Sequence, residues 1–267
     1  MSGRRLLAGL TEPEVRNLTG DPDGLAFSMA HRRVLLRKRL LRELFANLYD
    51  HVRAVDLAAF GATPGRRIDL GSGSGFVHDR YPDVIASDLK PLPWLQLACD
   101  AACLPIRDGT IRTLSGVNVF HHLSDPRAFF REAQRVIRPG GGLILVDIHS
   151  GPIARFVTGR LHACEHYDAT ATSWNAPITG PFSGANQALS YIVFTRDRAQ
   201  FLDEFPRWDI VSDAPHTGLW WYLSGGVNFR PLVPAWATPT IRTIDRWLSP
   251  LNRWIALLHT VTLRLRP

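Results

Sequence analysis

Ile68-Asp69-Leu70-Gly71-Ser72-Gly73-Ser74-Gly75 reads as a buried strand that ends in a glycine-rich turn. Glycines at alternate positions let the backbone bend sharply and approach a ligand closely, because no Cβ stands in the way. Asp69 sits where the strand ends, placed to order the turn or a bound ligand. The spacing is G-x-G-x-G. A dinucleotide fingerprint, G-x-G-x-x-G, needs a further glycine at position 76, where this chain has Phe76. A nicotinamide dinucleotide site is therefore disfavoured.

The residues that follow extend the pattern. A second strand, Val84-Ile85-Ala86-Ser87, ends in Asp88, where doubly wound folds place an acid on a ribose hydroxyl. Cys99-Asp100-Ala101-Ala102 and Leu104-Pro105-Ile106 come next, then a strand over Thr113 to Asn118 running into Val119-Phe120-His121-His122. A helix is expected from Asp125 to Ile137, closed by Arg138-Pro139-Gly140-Gly141-Gly142, and a further strand over Leu143 to Asp147.

This ordered set resembles the class I S-adenosylmethionine-dependent methyltransferases of the small-molecule type. The matching pieces are DLGSGSG at 69–75, Asp88, CDAACLPIRDGTI at 99–111, NVFHHLSDP at 118–126 and RVIRPGGGLILVD at 135–147. The resemblance implies an α/β, doubly wound, Rossmann-like and mainly parallel seven-stranded sheet with helices on both faces. It implies S-adenosylmethionine as the cofactor, held by Asp69, Gly71, Gly73, Gly75, Asp88, Leu89, Asp100, Ala101 and Asn118. The turn fits the need for close backbone approach, Asp88 can accept from ribose hydroxyls, and Asp100 with the Ala101 backbone can read adenine. A weaker likeness, carried by the short turn Ser224-Gly225-Gly226-Val227-Asn228 and the tryptophan and arginine tail after it, to methyltransferases of surface-polysaccharide and glycolipid assembly adds a sugar or lipid-linked acceptor to the small-molecule one.

At 267 residues, 45% hydrophobic and 21% charged, the chain can bury one full core plus additions. Cys99, Cys103 and Cys164 form no paired framework, so a reducing, cytoplasmic setting is expected, and no zinc pattern surrounds them. The apolar run Leu6 to Leu10 is too short for a signal peptide, and no apolar stretch approaches the ~18 residues of a membrane span. The formal charge of +7 is carried almost wholly by arginine, Lys38 and Lys90 being the lysines. A basic surface favours anionic partners.

Three zones are expected: a helical segment at 1–63, the cofactor-binding domain at 64–225 with a substrate loop at 151–185, and a tail at 226–267. Strands are expected over Ala188 to Phe194 and over Gly218 to Leu223, and a short helix over Arg198 to Phe205. Six of the eight tryptophans lie beyond position 205. Ile241 to Leu265 reads as one or two amphipathic helices broken near Pro250, with tryptophan and arginine interleaved. Such a helix suits the inner, anionic face of a membrane, and its apolar stripe equally suits the sheet or a second copy of the chain.

Methyl transfer from a sulfonium asks the protein mainly to align a nucleophile and to strip water from it. A hydroxyl acceptor adds a need for a base, which places His149, Glu165 and His121 as catalytic candidates and oxygen as the expected methylated atom. His162-x-x-Glu165-His166 is expected to hold no metal. The charge also keeps open a nucleic-acid methyltransferase, but Asn118-Val119-Phe120-His121 lacks the aromatic motif N-P-P-[YF], so nucleic acid is disfavoured as a partner. A membrane-associated module that binds the cofactor without turnover is the remaining alternative.

Overall fold

A computed structural model describes residues 10–16, 18, 21, 23–161, 166–175 and 185–267. Its centre is a seven-stranded sheet in the order β3-β2-β1-β4-β5-β7-β6. The strands are β1 (Arg66–Leu70), β2 (Val84–Asp88), β3 (Leu97–Ala98), β4 (Ile111–Val117), β5 (Ile137–Ile148), β6 (Trp208–His216) and β7 (Leu258–Leu265). Neighbours from β3 to β5 pair in parallel, and β7 runs antiparallel between β5 and β6. The order reverses at β1, so the crevice above β1 and β4 is the switch point where open α/β sheets bind ligands.

Each face is covered by helices, because strands such as β4 and β5 are apolar on both sides. On one face lie α1 (Leu25–Arg37), α2 (Arg39–Phe60) and the short α3 (Phe76–Arg80). α2 turns Leu41, Leu44, Leu48 and Val52 inward at helical spacing. The other face carries α4 (Pro126–Val136), whose first turn is capped by Asp125 accepting the Ala128 N–H at 3.0 Å. Phe120, Phe129, Phe130, Phe194, Phe201 and Phe205 interlock beneath it, with neighbouring rings as close as 4.9 Å.

Both lysines are structural. Lys38, at the break between α1 and α2, donates to the carbonyls of Gly226 and Phe229 at 2.7 and 2.6 Å. Lys90 donates to Ser28 Oγ at 2.9 Å and so ties α1 to the end of β2.

Several elements differ from the sequence expectation. Residues 152–161, expected as loop, form the helix α5 (Pro152–Leu161), which Pro152 opens at the helical position that tolerates proline best. The expected strand at 188–194 is instead helical, as Leu189–Tyr191 and the wider turn Ile192–Arg196, leading into α6 (Arg198–Glu204). The run is buried apart from the half-buried Tyr191, and a short apolar run carries no period that separates strand from buried helix. The expected strand at 218–223 is the helix α7 (Leu219–Ser224), which does end in the foreseen glycine turn, with Gly225 and Gly226 both at positive φ.

The largest correction concerns the carboxy-terminal tail. Helix is present in α8 (Thr238–Trp247) and again at Asn252–Ile255, but Leu258–Leu265 is the strand β7, buried in the sheet. Alternation of Thr260, Thr262 and Arg264 with Val261, Leu263 and Leu265 is the strand signal, and it follows directly on the tryptophan-rich helices. Among the described residues no helix is long and apolar enough to cross a membrane.

Candidate active site

The glycine turn leaves β1 through three left-handed residues, Gly71 (φ 60°), Gly73 (φ 45°) and Gly75 (φ 68°). Two of them are packed shut. A Cβ on Gly71 would lie 2.3 Å from Val119, and one on Gly75 would lie 2.6 Å from Trp94. Gly73 differs: a Cβ there would meet nothing nearer than the Gly71 carbonyl at 4.0 Å. Gly73 is thus the point where the turn leaves room for another molecule.

Asp88 closes the turn from the end of β2. One carboxylate oxygen accepts the Gly73 N–H at 3.0 Å and the other the Lys90 N–H at 3.1 Å. The group is 8% exposed, so it keeps a small open edge beside the bend. Trp94 Nε1 donates to the Gly73 carbonyl at 2.8 Å, and the Arg32 guanidinium reaches the Ser74 carbonyl and lies 5.2 Å from the Trp94 ring centroid. The Gly73 N–H and carbonyl and the Ser74 carbonyl are therefore all held. A carboxylate beside an open, fixed backbone bend is suited to a pair of neighbouring hydroxyls.

Asp69 does not face that space. It is fully buried, and it accepts from Ser72 Oγ and Ser115 Oγ, each at 2.8 Å, and from Tyr49 at 3.4 Å. Burial pushes its carboxyl up to about 6, against the lowering effect of these three hydroxyls and with help from the nearby Asp88 charge. Its place in the molecule is that of a clamp under the turn. With the folded value above the unfolded one, the native state takes up a proton first. The Asp69 contribution to stability is therefore complete below about pH 4 and lost as pH rises through about 6. Wild type should gain about 1 kcal/mol between pH 7 and pH 5 relative to Asp69→Asn. Urea midpoints of both proteins at the two pH values measure this, and an identical pH response would contradict it.

Farther along the crevice, Asn118 follows β4 with φ 54°, and its Oδ1 is buried with no partner among the described residues. A carboxamide oxygen held in that state stands ready for a donor on a ligand. Asp100 is exposed and orders its own turn by accepting the Ala102 N–H at 2.8 Å; Ala101 is half-buried, and Leu89 lies 56% exposed beside Asp88.

The three catalytic candidates separate. His121 is buried, its backbone N–H and ring Nδ1 both directed at Asp147, at 3.0 and 2.5 Å. Burial pushes the Asp147 carboxyl up, but the adjoining His121 and the Ile148 N–H outweigh it, and the net direction is down. His121 thus fastens the end of β4 to β5. His149, just past β5, is half-buried and donates from Nε2 to the Arg253 carbonyl at 3.2 Å, which leaves Nδ1 as its acceptor. Burial holds its pKa below the usual histidine value, so the ring is neutral at pH 7. Glu165, with His162, lies outside the described residues, while His166 pairs in a short bridge with Asn186. Among the described residues no group of three or more His, Cys, Asp or Glu is arranged to hold a metal ion.

The structure adds polar residues that the sequence reading passed over. Ser190 Oγ and His259 Nε2 are 2.7 Å apart, and His259 Nδ1 donates to Asp213 Oδ1 at 2.7 Å. The His259 ring lies 5.9 Å from that of His149. On the opposite side of β7, Thr260 Oγ1 joins His51 and His216 at 3.0 and 2.7 Å, and burial pushes His216 down to about 3. All of these depend on β6 and β7 being strands, which is why they were not visible as a group in the sequence.

Comparison with known proteins gives the family. A family model described as a methyltransferase domain matches residues 68–145, from β1 through β5. A demethylmenaquinone methyltransferase of Thermus thermophilus is 31% identical over 151 residues, covering 49% of this chain and 67% of that protein. A second, of Beutenbergia cavernae, is 32% identical over 119 residues, covering 39% of this chain and half of that one. Among solved structures, an S-adenosylmethionine-dependent methyltransferase from Archaeoglobus fulgidus aligns over 82% of this chain and 93% of its own, at 12% identity and a TM-score of 0.47. With its glycine bend, the acid at the end of β2 and these relatives, the chain belongs to the class I S-adenosylmethionine-dependent methyltransferases.

Proposed function

We propose that this enzyme methylates a small, apolar acceptor of the quinol class, met at a membrane surface. Two relatives that carry the name demethylmenaquinone methyltransferase support the acceptor class. The observation that carries the cofactor half is the open left-handed Gly73, held from below by Asp88.

In this reading the Gly71–Gly75 bend gives the cofactor its close backbone approach, and the free edge of Asp88 accepts from the ribose hydroxyls. Asn118 Oδ1 takes a donor from the cofactor, while Leu89, Asp100 and Ala101 border the adenine. Asp69 shapes the bend without touching the ligand. When bound, S-adenosylmethionine supplies a methyl group on a positively charged sulfur. The protein's own task is to seat the acceptor, exclude water and receive a proton. In this reading His149 Nδ1 receives it; the neutral ring, its other nitrogen anchored on the Arg253 carbonyl, supports that role. His121 acts through Asp147 as a positioning residue.

The test is transfer of isotope-labelled methyl from S-adenosylmethionine to a demethylated naphthoquinol in detergent, a sugar nucleotide, a glycolipid and RNA, assayed in parallel. Label on the quinol is expected. Label confined to the sugar nucleotide, the glycolipid or RNA would overturn the acceptor assignment while leaving the cofactor site in place.

A further inference from the structure

Between Leu232 and Trp254 the chain carries apolar and basic side chains that the described residues leave exposed. Trp236 and Trp247 are each 78% exposed, and Leu232, Leu251 and Trp254 are exposed beside them in sequence. This is not a core face left unpacked. α8 already buries its other side through Thr238 and Ile241, and Asp245 turns inward to accept the Leu219 N–H at 2.8 Å. α5 packs against Asn252–Ile255 and adds the exposed Ile153 and Phe156. Exposed large apolar side chains gathered on elements that pack against one another mark an interaction site.

Charge identifies the occupant. Between positions 226 and 257 the sole acid is the inward-turned Asp245, whereas Arg230, Arg242, Arg246 and Arg253 are all present. α5 contributes Arg155 and Arg160 and no acid. Two of these arginines already lie on aromatic rings, Arg253 at 3.6 Å from the Trp254 centroid and Arg160 at 4.1 Å from that of Phe156. Indole rings favour the headgroup level of a bilayer, and arginine beside them reaches lipid phosphate while its stem stays on apolar surface. A protein partner would need a matching run of acids and a shaped apolar cleft; an anionic bilayer supplies both chemistries without shape.

We infer that this tryptophan and arginine face seats the enzyme on an anionic lipid bilayer. The inference rests on the reading of function above and names the surface from which its acceptor arrives. Arg253 belongs to the docking segment and its carbonyl accepts from His149, so in this reading the candidate base adjoins the membrane-facing part of the chain.

The probes are vesicles of phosphatidylcholine alone and of equal parts phosphatidylglycerol and phosphatidylcholine, with neither cofactor nor acceptor present. Co-sedimentation is expected with the anionic vesicles only, weakening as salt is raised. Trp236→Ala with Trp247→Ala should reduce partitioning about tenfold or more, and Arg242→Gln with Arg246→Gln should remove the preference for anionic lipid. Calorimetry with S-adenosylmethionine checks that the variants remain folded, since none of these residues borders the glycine bend. Failure to bind anionic vesicles, binding that the tryptophan variants do not change, or a stable dimer dissociated by those variants would each overturn the proposal. Vesicle binding requires no methyl transfer, so its outcome stands apart from that of the acceptor assay.

Discussion

Removing residues 256–267 abolishes folding, because the segment is the strand that joins β5 to β6. β7 pairs with β5 from Ile148↔Leu258 to Gly142↔Arg264, and with β6 along its other edge. Leu258, Val261, Leu263 and Leu265 are each fully buried. Burying such a side chain contributes about 1.5–3 kcal/mol, so four of them approach the whole stability of an ordinary domain, about 5–15 kcal/mol. The exposed edges of β5 and β6 would then be templates for aggregation. The truncated chain is therefore expected in the insoluble fraction, without a cooperative melt. A soluble, cooperatively melting product would mean that the last strand is dispensable.

The second large effect belongs to Gly73. A valine at φ 45° is strained, since β-branched residues avoid the left-handed region, yet its side chain meets no protein atom closely. Gly73→Val should therefore fold, with its melting temperature lowered by several degrees. It should lose S-adenosylmethionine affinity by about 100-fold or more, because the new methyl groups occupy the space the bend leaves open. Gly71→Val provides the contrast: its clash with Val119 at 2.3 Å should damage the fold itself. Calorimetric titration together with a thermal melt separates the two. Unchanged affinity in a folded Gly73→Val protein would remove the site from this bend.

The cofactor half was legible because its signals are local. Glycine spacing, an acid at the end of a strand, and an aspartate cap followed by Pro126 each report a backbone conformation within a few residues. The carboxy-terminal half was not, for two physical reasons. Ala188 to Phe194 is buried apart from the half-buried Tyr191, so no periodicity distinguishes its geometry. In β7, by contrast, Thr260 to Leu265 alternates as a strand should, but the Trp247, Leu251 and Trp254 spacing before it carries a helical period that masks the change. With Leu258–Leu265 expected as helix and no strand expected over Trp208–His216, Ser190, Asp213 and His259 lie far apart in the chain. Only the antiparallel pairing brings them together. For the candidate bases, residue type was readable but environment was not. His121 and His149 look alike in sequence, and the structure gives them different surroundings, against Asp147 and against the Arg253 carbonyl.

Asp88 gives the most direct test of the whole account. Wild type and Asp88→Ala are titrated calorimetrically with S-adenosylmethionine and with its 2′-deoxy analogue. Loss of the hydroxyl should weaken binding to wild type by about 1–3 kcal/mol, the scale of a hydrogen bond to a charged group, and should cost the alanine variant almost nothing. An equal penalty in both proteins would show that Asp88 does not touch the ribose and would contradict the placement of the cofactor between β1 and β2.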